Sequence, residues 1–189
     1  MLAGDEQGAH VHGIAKMNLA VDGSALLIEL DSPAANIIGF EHPPRTEEEH
    51  KAVARGEQLL IDAERLFVPS PAAECRLTKA DVRLELGAPE MADRAEAETH
   101  HRDGQAHDRD HHQHHDDHRH DAAHDPDGTI HADAHGDYAF DCARPADLTE
   151  LDVRLFETLP GIERLRVQVI SAGGQSGTEL TPDDHLLAL

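Results

Sequence analysis

Residues His10 to Val21 alternate: Val11, Gly13, Ala15, Met17, Leu19 and Val21 fall on one side, and His10, His12, Lys16 and Asn18 on the other. A period of two marks a half-buried strand, and Asp22-Gly23 after it is a hairpin turn signal. Leu26, Ile28 and Leu30 then form the return strand, closed by Asp31-Ser32-Pro33. Thr46 followed by Glu49 has the form of a capping box, which predicts a helix from there to about Phe67. Its buried stripe is Val53, Gly56, Leu60, Ala63 and Phe67, and Val68-Pro69-Ser70-Pro71 ends it. Alternation returns from about Cys75 to Leu86, with Val82, Leu84 and Leu86 on one face.

From Glu90 the patterning stops. It resumes with a strand carrying Tyr138, Phe140 and Cys142, then another at Leu151, Val153 and Leu155, a helical turn at Phe156 to Leu159, and a strand at Leu165, Val167 and Val169. Gly173-Gly174 turns the chain into a short strand near Thr178 to Leu180, Pro182 to His185 is a turn, and Leu186 to Leu189 is a last apolar edge. The fold class is α+β: a mostly antiparallel β-sheet with one long helix packed on it, and a long disordered His/Asp-rich insertion. Residues 1–189 make a single domain, with 90–135 as the flexible loop between strands.

The composition of that insertion gives the first chemical clue. Between His100 and His135 lie twelve of the seventeen histidines and nine aspartates. Imidazole is the commonest protein ligand for zinc, copper and nickel, and a carboxylate can ligate beside it or orient it. His100, His101, His107, His111, His112, His114, His115, His118, His120, His124, His131 and His135 are therefore candidate metal ligands, in a low-complexity tract of a kind that binds metal. Two blander readings stand beside this one: a solvated linker, or an arm that charges as pH falls through about 6.5.

A net charge of −22 excludes nucleic acid as a partner, since a polyanion would be repelled. No apolar run is long enough for membrane insertion. Met1 to His10 lacks the basic start and apolar stretch of a signal peptide, as a mature secreted chain also would. HExxH and nucleophile–base patterns are lacking too, so the chain is expected not to be an enzyme. Cys75 and Cys142 flank the tract. They are buried small hydrophobes in a reducing compartment, or a disulfide in an oxidising one, and neither has the Cys-x2-Cys spacing of a zinc thiolate.

A second candidate site lies outside the tract. On a strand, His10 and His12 would share a face about 6.6 Å apart. Glu41 and His42 precede a proline pair that fixes the chain as extended. The hairpin and loop are long enough to bring both pairs together, giving a structured zinc site of His10, His12 and His42, with Glu41 as ligand or orienting partner. His185, in its Pro-Asp-Asp-His turn, is a further candidate for a tetrahedral shell. Alternatively, Glu41 and His42 only hydrogen-bond the turn.

Four short motifs now carry a likeness: His10-Val11-His12-Gly13, Gly39-Phe40-Glu41-His42-x-Pro44, Tyr138-x-Phe140-x-Cys142 and Leu159-Pro160-Gly161. With the histidine tract they resemble the ZrgA-type family of bacterial, zinc-regulated, periplasmic zinc-binding proteins, over essentially the whole chain. The resemblance implies a periplasmic protein made with a cleaved leader. It implies zinc as cargo and a role in zinc uptake, with transfer to an ABC-type zinc importer or its binding protein. No individual tract histidine is carried over by it. The periplasmic setting it implies favours a Cys75–Cys142 disulfide. Three rivals belong to other classes: a general nickel, copper or zinc buffer without a transport partner, a metalloenzyme, and the two-lobed binding protein of an importer, for which the chain is too short and too rich in strands.

Overall fold

A computed structural model describes residues 11–87 and 132–189. Chain packing divides the molecule into two units, residues 1–88 with 130–189, and residues 89–129. All the described residues belong to the first.

Among the described residues, nine strands and four α-helices run in the order β1 (Ile14–Asp22), β2 (Ala25–Pro33), α1 (Ala35–Ile38), α2 (Glu47–Ile61), α3 (Ala63–Leu66), β3 (Phe67–Pro69), β4 (Cys75–Glu85), β5 (Asp133–Cys142), β6 (Glu150–Val153), α4 (Leu155–Thr158), β7 (Arg164–Ser171), β8 (Gly174–Leu180) and β9 (Leu186–Ala188). Six strands form one sheet in the order β4-β5-β2-β1-β7-β8, and three form a small sheet, β3-β6-β9. Pairing is antiparallel throughout except between β1 and β7.

The alternation seen in the sequence is the alternation of burial. Met17 pairs with Leu30, Leu19 with Ile28, and Leu26 with Phe140, and all of these point into one core. Lys16, Asn18, Glu29, Arg166 and Gln168 line the exposed opposite face. The core is closed from the far side by Leu60, Leu66, Phe67, Leu151, Val153 and Leu155, all essentially buried. Phe67 on the small sheet meets Tyr138 on the large one at 5.2 Å between ring centroids, a tilted aromatic contact that joins the two layers.

The helix begins where its capping box places it. Thr46 accepts from Glu49 N, and the Glu49 side chain accepts from Thr46 N. It stops earlier than the apolar stripe suggests, because Asp62 leaves helical geometry at φ −80°, ψ 59°. Tyr138 Oη donates to the carbonyl of Leu60 at 2.9 Å and so occupies an acceptor that a longer helix would have used. Ala63 and Phe67 remain buried, but on α3 and β3. Gly56 is the close point between α2 and α1: a Cβ there would lie 2.7 Å from Ile38 Cγ2.

Other differences from the sequence reading are local. Leu155 opens α4 instead of ending a strand, and β8 extends back to Gly174 because an edge strand can be polar on both faces. His135 lies on β5, so the strand starts inside the compositional tract. Glu85 pairs directly with Asp133, and residues 86–132 therefore join neighbouring strand ends. Cys75 pairs with Cys142 across the start of β4 and the end of β5, and the two form a disulfide.

Candidate metal centre

The head of β1 is not the strand that alternation predicts. Val11 to Ile14 form a turn closed by Ile14 N–H donating to Val11 O at 3.1 Å, and Gly13 takes φ +82°, a region that favours glycine. His12 therefore projects from a turn one residue before the left-handed glycine, and β1 begins only at Ile14. His10 itself lies outside the described residues. Gly13 is tied on both sides: its N–H donates to Asn36 Oδ1 at 2.8 Å, and its carbonyl accepts from Glu163 N and Arg164 N at 2.8 and 2.9 Å.

Glu41 and His42 reach the same place from α1. That short helix ends at Gly39, φ +88°, whose N–H caps Ala35 O, and the chain then turns into Phe40, Glu41 and the proline pair. His12 Nε2 donates to Glu41 Oε1 at 2.9 Å, an exposed contact. Phe40, half-buried, stacks on His42 at 4.9 Å between centroids.

The tautomer of His42 follows from its partner. Its Nδ1 lies 3.0 Å from Pro43 O, and since a carbonyl can only accept, Nδ1 carries the hydrogen. The neutral ring then has its lone pair at Nε2, which faces Glu49 Oε1 at 3.9 Å. A backbone acceptor on one imidazole nitrogen and a free lone pair on the other is the arrangement in which histidine binds metal.

Glu49 is the residue that the sequence reading missed. Its capping role was legible, and that role bends the side chain back past the helix start toward His42. Oε2 accepts from Arg45 N at 2.5 Å and from Thr46 N at 3.1 Å, which leaves Oε1 for the imidazole. The Arg45 N–H above all, then the Thr46 N–H and the nearby Arg45 charge, hold the Glu49 carboxyl below the usual carboxylate range against an opposing desolvation. Glu47, Glu48 and Glu49 together offset the positive end of the α2 dipole, which would otherwise repel a cation here.

The result is two imidazole–carboxylate pairs joined through adjacent residues, His12–Glu41 and His42–Glu49. With metal–ligand bonds of about 2.0–2.1 Å, two ligand atoms of a tetrahedral zinc ion lie about 3.3 Å apart. The two pairs, at 2.9 and 3.9 Å, fall on either side of that spacing. Among the described residues, no three histidine, cysteine or carboxylate side chains are gathered closely enough to hold a metal ion.

The other described candidates stand elsewhere. His135 Nδ1 pairs with Asp31 Oδ1 at 2.6 Å, across the β2–β5 register. His185 does not join the His12 group. Its Nδ1 meets Asp152 Oδ1 at 2.8 Å, and Arg154 Nε meets the other oxygen at 2.7 Å. His185 also lines a pocket of about 110 Å³ with Val153, Arg154, Phe156, Glu157 and Pro182. The tract histidines from His100 to His131 lie outside the described residues. No helix among the described residues is long and apolar enough to cross a membrane.

No individual curated protein matches the chain. The model of one family does, the ZrgA family of zinc uptake proteins, over residues 9–189. That span takes in the turn at His12, the Glu41-His42 segment, the histidine tract and both sheets. The chain belongs to the ZrgA family of zinc uptake proteins.

Proposed function

We propose that this protein captures zinc outside the cytoplasm and delivers it to an ABC-type zinc importer or its binding protein, acting by binding and not by catalysis. In this reading the histidines of the tract collect zinc ions, and a structured site at His12, Glu41, His42 and Glu49, with His10 as a further ligand, holds one of them. The observation that carries it is the His42 imidazole, held by Pro43 O at Nδ1 and stacked on Phe40, with Nε2 facing the Glu49 carboxylate. A zinc ion at His12 Nε2 would take the place of the hydrogen that this nitrogen donates to Glu41, the neutral ring then carrying its hydrogen on Nδ1. Ordering a long tract around an ion costs conformational entropy, whereas ligands on anchored turns avoid much of that cost.

The test is a zinc titration of histidine-labelled full-length protein, followed through the imidazole nitrogen resonances. Zinc should shift the resonances of His12 and His42, and the His12→Ala/His42→Ala protein should bind about one ion fewer. If both imidazoles stay unshifted while the tract fills, the structured site is wrong. Nickel and copper run in competition test the rival reading, a general metal buffer without a transport partner. Equal retention of all three metals, with no zinc passed to an importer's binding protein, would favour it.

A further inference from the structure

We propose that Asn36 is the positioning residue of the zinc site, a role that rests on the reading above. Asn36 is buried at 5% exposure, one of three buried polar side chains among the described residues. It sits in the apolar segment Ala34 to Ile38, where a leucine would do if packing were all that mattered. Both ends of its amide are used. Oδ1 accepts from Gly13 N at 2.8 Å, and Nδ2 donates to Ile14 O at 3.2 Å and to Ser32 Oγ at 3.1 Å.

These bonds join the two segments that carry the ligands. His12 immediately precedes Gly13, and Glu41 follows Asn36 by five residues through the Gly39 turn. A third segment closes on the same residue from outside. A Cβ on Gly161 would lie 2.2 Å from Asn36 O, and two residues later Glu163 N donates to Gly13 O. The His12-Gly13 turn thus bonds to the Asn36 side chain, Gly161 packs against its backbone carbonyl, and the Gly39-to-Pro44 segment begins three residues after it. Asn36 touches no candidate ligand atom. It holds the backbones from which His12 and Glu41 project, and so sets the 2.9 Å between Nε2 and Oε1.

If the amide clamp favours zinc, then zinc must favour the clamp by the same factor. In unmodified full-length protein, saturating zinc should slow hydrogen exchange at the Gly13 amide, the proton held by Asn36. Asn36→Asp keeps an acceptor for Gly13 N but loses both donated hydrogen bonds, and should weaken zinc binding at His12 about five- to tenfold. Ser32→Ala removes one partner of the same amide without touching the Gly13 bond. It should lower the melting temperature yet leave zinc affinity at His12 near the unmodified value. Unchanged Gly13 exchange on zinc binding would overturn the proposal, whether or not Asn36→Asp folds. So would an Asn36→Asp protein that binds as tightly as the original, or a Ser32→Ala protein that weakens as much. A His12 resonance that zinc never moves in unmodified protein would instead remove the site, and with it this role.

Discussion

The disulfide and the tract it encloses should be energetically coupled, and the size of the coupling follows from chain length. Cys75 and Cys142 are 67 residues apart in sequence and closed by one bond. The chain-entropy relation assigns a loop of that length a stabilisation of about 4.4 kcal/mol at 25 °C, through the freedom it removes from the unfolded chain. Replacing residues 88–131 by a two-residue linker shortens the loop to roughly 25, and the same relation then gives about 3.5 kcal/mol. The Glu85–Asp133 pairing makes this replacement feasible, because both strand ends are already neighbours. Four proteins are needed: with and without the tract, each with the cysteines oxidised or replaced by alanine. The cavity left by the alanines is common to both backgrounds and cancels in the cycle. Urea unfolding at one pH should show the cysteine replacement costing about 0.9 kcal/mol more in the full-length chain than in the shortened one. A larger cost in the shortened chain would refute the entropic account. Loss of cooperative unfolding on shortening would show instead that the tract is part of the folded unit.

Three further outcomes are expected. Tyr138 is the only tyrosine and there is no tryptophan, so the phenolate absorbance band reports on one buried ring. Burial, aided by Asp137, raises its pKa, so its stabilising contribution is complete below the ordinary value near 10 and is lost as pH rises above it. The band should stay absent through that range and appear only with unfolding, whereas a smooth titration at the ordinary value in folded protein would contradict this. Gly161→Ala should cost about 2 kcal/mol in urea unfolding, since the new methyl meets a backbone oxygen and not a movable side chain; a change too small to measure would mean that the loop yields. Glu49→Gln retains a residue competent in capping boxes but removes an anion, so thermal melting near neutral pH should fall modestly while zinc affinity falls. Because the Glu49 pKa is lowered, the ionised cap is present at ordinary carboxylate pH and is lost only as pH falls through that lowered value, which helical circular dichroism across an acid titration can follow.

The sequence made legible what is local and periodic. Alternation located β1, β2, β4, β5 and β7, and Thr46 with Glu49 marked the helix start to the residue. The hairpin signal was off by one: Asp22 pairs with Ala25, so Gly23 and Ser24 form the loop. Failures came where a distant partner decides. Nothing near Ile61 says that Tyr138 will take the Leu60 carbonyl, and nothing in β1 announces β7 as its parallel neighbour. His12 was read as part of a strand because Gly13 fitted the alternation, although a glycine is also free to break it. At the candidate site, Glu41 and His42 were visible beside their prolines. Glu49 was concealed by its capping role, and Asn36 by the apolar residues around it.

The two margins of the large sheet bear on how the importer proposed above would engage this protein. β4, at one margin, carries Arg76, Lys79, Asp81, Arg83 and Glu85 and breaks register between Leu77 and Lys79. β8, at the other, has glycines at 174 and 177 and is exposed along nearly its whole length. Charges, a bulge and glycines all make a margin a poor template for another strand. A transport partner that recognised its clients by adding a strand would find no continuous ladder here. Under the transfer proposed above, docking would fall to the loops, the small sheet and the open polar face, so donor and acceptor would not be locked into the large sheet.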